Sequence, residues 1–220
     1  MADWVTISAL ATAGGTLALA GATYASVRSS NRSARLAELA LQEQRRPVLV
    51  NSRQDDSEQT VGFADGRWVA IPGGGATIEA AAESVYLAMS VRNVGAGLAV
   101  LQGWRLHEVA VKGTEERGWR RSVITEAPPR PEDFRSLTRD QYISSGDLGI
   151  WQGAVRDSAD PLHATLLEAI RQPGLLVLDL LYTDLAGEQR TISRFGLTPD
   201  DAGWQAAAAR HWYLDASAPR

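Results

Sequence analysis

The sequence predicts a mainly β protein with helices: an N-terminal helix, then an antiparallel, immunoglobulin-like β-sandwich with one inserted helix and a helix at its C-terminal end. Three observations point there. Trp4 to Val27 carries no charge, although Asp3 and Arg28 flank it. Arg28 to Arg46 holds neither Pro nor Gly and is rich in Ala, Leu, Glu, Gln and Arg, which favours continued helix. Beyond Pro47, short runs of β-branched and aromatic residues alternate with Gly, Pro, Asp and Asn, the texture of a sandwich.

The expected organisation is an anchor over 1–27, a basic helical stalk over 28–46 and a sandwich over 47–220. A helix from Trp4 to Val27 reaches roughly 36 Å, enough for a hydrocarbon core of about 30 Å. Trp4 and Tyr24 would sit near its two surfaces, where aromatic residues collect. Many of its residues are Ala, Gly, Thr and Ser, so insertion of this helix alone is expected to be marginal. A cleaved signal peptide fits less well, because Met-Ala-Asp-Trp lacks a positive n-region. Arg28, Arg32 and Arg35 follow the apolar stretch closely, which places the C-terminal domain in the cytoplasm and offers contacts to anionic lipid. Gly14, Ala18, Ala22 and Ser26 recur at four-residue spacing, the close-approach face of a self-associating helix. Leu36, Leu39 and Ala40 share one face of the stalk, and Pro47 stops it.

The expected strands begin with Val48–Val50 and Trp68–Ile71. Ser84 to Val94 follows, with Val85, Leu87, Met89 and Val91 on one side. The connection Asn93-Val94-Gly95-Ala96-Gly97 is expected to use residues tolerant of positive φ. Leu98–Val111 supplies more β structure. Residues 113–141 form an expected long loop around one short strand, Ser122–Thr125. Tyr142–Ile143 and Ile150–Val155 flank a turn at Ser145-Gly146-Asp147. Asp160-Pro161 starts a helix as N-cap and first helical residue, with Leu162, Leu166, Leu167 and Ile170 as its buried stripe, and Pro173-Gly174 ends it. Leu175–Thr183, apolar on both sides at its start, belongs at the centre of a sheet, and Thr191–Phe195 follows. Trp204 to Leu214 is expected to be helical.

Arg46-Pro47-Val48-Leu49, together with the later Leu87-Ala88-Met89-Ser90-Val91-Arg92-Asn93-Val94-Gly95-Ala96-Gly97-Leu98-Ala99, resembles a loose group of uncharacterised bacterial single-pass membrane proteins. In that group a helix leads through Arg-Pro into a small immunoglobulin-like sandwich. Tyr142-Ile143-Ser144-Ser145-Gly146-Asp147 is similar to the group's later aromatic-apolar-Pro-Gly strand, with Ser145 where Pro is usual. The resemblance extends over roughly residues 1–112 and 142–196. It implies an architecture and no activity.

The chemistry-bearing residues are sparse. Without cysteine there are no disulfides, thiolate sites or cysteine nucleophiles. A net charge of −4 gives no reason to expect nucleic acid. Gly73-Gly74-Gly75 follows a strand but lacks the Lys-Ser/Thr ending of a phosphate loop, and Gly95-Ala96-Gly97 is not followed by the helix that a dinucleotide fingerprint needs. His107, His163 and His211 are far apart in sequence, and His163 is expected to face solvent. Asp179 inside an apolar strand needs a partner, for which a structural Arg is the first expectation. Trp119 beside Arg117, Arg120 and Arg121 has the composition of a contact surface. No residue is assigned to catalysis, a cofactor or a metal. The expected function is a membrane-anchored, non-enzymatic module that binds an unknown protein partner or self-associates at the cytoplasmic face, with membrane lipid as its other contact. An extracytoplasmic binding domain is the first alternative. A small-molecule-binding or enzymatic domain with its site near the 113–147 loop is the second.

Overall fold

A computed structural model describes residues 3–109, 127–172, 174–201 and 203–215. The chain divides into two compact units, Met1–Gln44 and Arg45–Arg220.

The first unit is a single helix, α1, Trp4–Gln44. It combines the expected anchor and stalk without a break. The hydroxyls of Thr12, Thr16 and Thr23 turn back onto the carbonyls of Ser8, Thr12 and Leu19 at 2.8–2.9 Å, so the helix satisfies these polar groups itself. Its described large apolar side chains are exposed, from Ile7 at 47% to Trp4 at 82%. Among the described residues no helix is long and apolar enough to cross a membrane, reflecting the Ala, Gly, Thr and Ser noted above.

The second unit is built on one antiparallel sheet of nine strands: β1 (Leu49–Asn51), β4 (Gly75–Ala81), β5 (Ser84–Asn93), β6 (Ala99–Val109), β7 (Arg135–Ile143), β8 (Leu148–Val155), β9 (Leu175–Thr183), β10 (Thr191–Asp200) and β11 (Gly203–Tyr213). The order runs β1-β5-β4-β11-β10-β9-β6-β7, and β8 also pairs with β5. β4 pairs with Ser84–Met89 and β1 with Val91–Asn93, so they share one edge of β5 and leave the other to β8. The sheet curls, consistent with a β-sandwich, and a small second sheet, β2 (Gln59–Gly62) with β3 (Trp68–Ile71), lies outside it.

The alternating positions of β5 drive the main core. Val85, Leu87, Met89 and Val91 pack with Leu176, Leu178, Leu180 and Phe195. That side is the apolar one the sequence marks, and the opposite side of β5 is covered as well. Tyr86 packs against Phe63 and Val69 beneath the β2–β3 hairpin, with the Phe63 and Tyr86 rings edge to face at 4.9 Å. β9 is buried along its whole length between β6 and β10, as a strand apolar on both sides requires. The inserted helix α2, Pro161–Arg171, begins as expected: the Asp160 carboxylate accepts from Leu162 N at 2.9 Å. It seats Leu162, Leu166 and Ala169 in the core.

The expected C-terminal helix is instead strand β11. Its Ala-rich run favours helix locally, but tertiary pairing overrides that preference: as a strand it pairs with β10 from Gly203 to Tyr213 and turns Trp204, Ala206 and Ala208 toward the core. The expected long loop also shrinks, since Arg135–Ile143 is a strand. The Ser122–Thr125 expectation lies outside the described residues.

The segments that carry the resemblance meet each other. Asn93, fully buried, accepts from Val48 N at 3.1 Å and Gly95 N at 3.0 Å, and donates to Gly97 O at 2.7 Å and Ile143 O at 3.0 Å. A Cβ on Gly97 would strike the Arg45 carbonyl, and one on Gly95 the Arg46 carbonyl and the Val48 nitrogen. Close approach, not positive φ, is therefore what these two glycines supply: among the described residues the left-handed glycines are Gly66, Gly74, Gly146, Gly187 and Gly203.

Candidate functional site

The two ends of the curled sheet, β7 and β8, are consecutive strands joined through Ser144–Asp147, and a cleft of about 390 Å³ opens beside them. Its shape comes from a register break. On β6, Leu101 faces Gln141 and Gly103 faces Ser136, so the run 137–140 of β7 bulges out opposite the single residue Gln102. β8 supplies Gln152, Gly153 and Ala154, the β2–β3 turn supplies Phe63 and Ala64, and Trp104 contributes from β6. Gly153 matters here because a Cβ would lie 3.1 Å from both the Trp104 and Trp151 rings, which pack edge to face at 5.4 Å.

Three arginines line this cleft. Arg135 donates to the Asp160 carboxylate through both terminal nitrogens, with Nη2–Oδ1 at 2.8 Å, and lies 5.6 Å from the Trp104 ring centre. That hydrogen bond holds the Asp160 carboxyl below the usual carboxylate range. Arg156 reaches Asp65 at 3.3 Å. Asp65 also accepts from the Tyr86 hydroxyl at 2.7 Å, the main reason its own carboxyl is held low. Arg139 differs: among the described residues no carboxylate pairs with it. With the Gln152 carboxamide oxygen turned toward it, its Nε donates at 3.2 Å. Two arginines are neutralised and the third is not, so these five charged groups sum to one positive charge. The buried Gln141 Oε1, on another lining residue, has no hydrogen-bond partner among the described residues.

Other polar clusters look structural. Leu49 N donates to Tyr182 Oη at 3.1 Å, Tyr182 Oη meets Ser193 Oγ at 2.7 Å, and Ser193 Oγ meets His211 Nδ1 at 2.7 Å. A serine beside a histidine suggests a nucleophile and its base. Ser193 and Tyr182, however, are fully buried, so no substrate reaches the hydroxyl. Burial pushes the Tyr182 phenol up to about 12 and lowers the His211 imidazole. Asp179 finds the arginine that the sequence called for. Arg194 holds it through Nε–Oδ1 at 2.7 Å and Nη2–Oδ2 at 2.9 Å, both side chains buried, with Arg105 4.0 Å away. The Asp184 carboxylate closes the β9–β10 turn by accepting from Glu188 N and Gln189 N. Gly73-Gly74-Gly75 does connect two strands, and the small pocket beside it includes Asp200, which does not suit a phosphate. Buried His163, contrary to expectation, places Nε2 3.0 Å from the Glu83 carbonyl. No group of metal-ligating side chains occurs among the described residues.

Gly14, Ala18, Ala22 and Ser26 are all exposed on α1, and a Cβ on Gly14 would meet nothing within 4 Å. Arg28, Arg32 and Arg35 are likewise exposed, beside Tyr24 and Val27. Arg117, Trp119, Arg120 and Arg121 lie outside the described residues. Sequence reasoning missed Arg135, Arg139, Gln141, Gln152 and Arg156. Arg135, Leu137, Arg139 and Gln141 recur at period two, a strand signal hidden by the polar residues between them.

The fold and the cleft together define a curled antiparallel β domain that follows a long N-terminal helix in the sequence. No protein-family model, curated protein or solved structure matches the chain.

Proposed function

We propose that this chain is a membrane-tethered, non-enzymatic, immunoglobulin-like β-sandwich module that binds a protein partner or a second copy of itself at the cytoplasmic face. The observation that carries this reading is α1: an uncharged stretch from Trp4 to Val27 with Trp4, Leu10, Leu17 and Leu19 exposed, continued by helix that bears Arg28, Arg32 and Arg35. Exposed apolar side chains on a helix need a bilayer or another helix to cover them. The threonine hydroxyls bonded within the helix lower the cost of placing it in lipid. The small-residue face lets two such helices pack closely, which supports a marginal span through pairing. The resemblance to single-pass proteins with a helix-Arg-Pro-sandwich order points the same way. A C-terminal alkaline phosphatase fusion should be inactive and a C-terminal fluorescent-protein fusion bright. The opposite pair of results moves the domain outside the cell.

A second reading, a small-molecule binder, has one specific observation in its favour. The cleft beside β7 is lined in part by residues 135–141, at the end of the expected 113–147 region, and brings charged, amide and aromatic side chains together.

A further inference from the structure

We propose that the cleft beside β7 and β8 binds a small organic monocarboxylate with an apolar body, an inference that rests on the small-molecule reading above. Arg139 is the anchor. It lines the cleft, is exposed to solvent and has no carboxylate partner among the described residues, whereas its neighbours Arg135 and Arg156 already hold Asp160 and Asp65. The resulting single positive charge matches a monoanion better than a dianionic phosphate. A guanidinium fork binds a carboxylate through two parallel hydrogen bonds, and Gln152, already within reach of Arg139, orients it.

The remaining walls fit an apolar body. Phe63, Ala64, Leu137, Ala154 and the Trp104 ring supply carbon surface. Gly153 keeps the approach to Trp104 clear of a side chain. A volume of about 390 Å³ lies at the small end of the ligand-site range of roughly 300–1,000 Å³. Gln141 gives a second, independent sign. Its buried Oε1 is unpartnered, an atom that a ligand hydroxyl or N–H would satisfy. Buried polar atoms in folded proteins almost always find a partner, so one left over on a cleft wall is a place where a ligand group can bond.

The test uses full-length protein in lipid nanodiscs and titration calorimetry with 3-(4-hydroxyphenyl)propionate. Comparators are the matching neutral alcohol, inorganic phosphate and an acidic octapeptide. Saturable one-to-one binding of the carboxylate is expected, with the alcohol at least about tenfold weaker. A charge-assisted hydrogen bond carries about one to two orders of magnitude in affinity, so Arg139→Ala should weaken binding about 10- to 100-fold. Arg139→Lys, which keeps the charge but loses the fork, should fall between. Arg130→Ala, at an exposed arginine paired with Asp133 outside the cleft, should change nothing. Because Arg139 is exposed, its variants should melt with wild-type protein, and the same samples are checked by circular dichroism. Equal binding of alcohol and carboxylate, or unchanged affinity in Arg139→Ala, overturns the proposal and leaves the small-molecule reading standing. Preference for phosphate overturns the monocarboxylate assignment. Binding of the octapeptide alone, or of nothing, overturns both.

Discussion

Asp179 and Arg194 form a buried ion pair whose removal has a calculable consequence. Asp179 is 0% and Arg194 1% exposed, and two hydrogen bonds of 2.7 and 2.9 Å join them. Asp179→Leu removes the anion and leaves a buried guanidinium. Losing one member of such a pair costs about 3–5 kcal/mol, because the survivor keeps its desolvation penalty without its attraction. The Trp212 ring, 4.9 Å from the guanidinium, remains and leaves the surviving charge partly compensated, as a desolvated cation–π contact is worth about 2 kcal/mol. The expected loss is therefore near the lower end, about 3 kcal/mol, or roughly 6–12 °C in melting temperature for a domain of this size. Replacing both residues by apolar ones of similar volume, Asp179→Leu with Arg194→Met, removes both buried charges. That double variant should lie within about 1 kcal/mol of wild type. Urea unfolding followed by tryptophan fluorescence measures all three proteins. A single variant that loses less than about 1 kcal/mol, or a double variant no more stable than the single one, would refute the reasoning.

Further outcomes follow from other sites. Gly97→Ala drives a methyl group into the Arg45 carbonyl and should cost about 3 kcal/mol or more by the same unfolding assay, whereas Gly187→Ala, strained only by positive φ in an open turn, should cost less. Thr191→Val removes a buried hydroxyl with no partner, so its stability should equal or exceed wild type by up to about 1 kcal/mol. Burial lowers the pKa of the His211 imidazole, so below its ordinary value of about 6.5 the unfolded chain binds protons more readily than the folded chain. Stability should be flat in this respect above that value and fall as pH drops below it, by at most about 1.4 kcal/mol per unit, and His211→Gln should flatten the fall in melts between pH 8 and 5. Gly14→Leu or Ala18→Leu should weaken dimerisation of α1 in a membrane reporter assay, while Leu10→Ala should not; equal behaviour would remove the small-residue face as an interface.

Elements with one dominant signal were legible in the sequence. Asp160-Pro161 marks the start of α2 through capping chemistry that is local by nature, and the doubly apolar Leu175–Thr183 announces a central strand. Trp204–Tyr213 misled because local propensity and tertiary pairing disagree there, and ten residue pairs with β10 outweigh a few alanines. The cleft was hidden for a different reason. Its arginines come from Arg135 and Arg139 on one strand and Arg156 at the end of another, and only the register break at Leu101–Gly103 and the return of β8 bring them together. Asn93 was visible as a turn residue. Its four hydrogen bonds to segments as distant as Val48 and Ile143 were not, because they depend on how the chain crosses itself.

The proposal stands most directly on the behaviour of α1. Membranes from cells expressing the full chain, washed with alkaline carbonate and floated through a density gradient, separate spanning helices from peripheral attachment. The account expects the full chain to float with the lipid after the wash, and a chain with Leu10, Leu17 and Leu19 changed to Gln to be released. Full-length protein that leaves the membrane in carbonate, or that runs as a monomer in plain buffer without detergent, would contradict it.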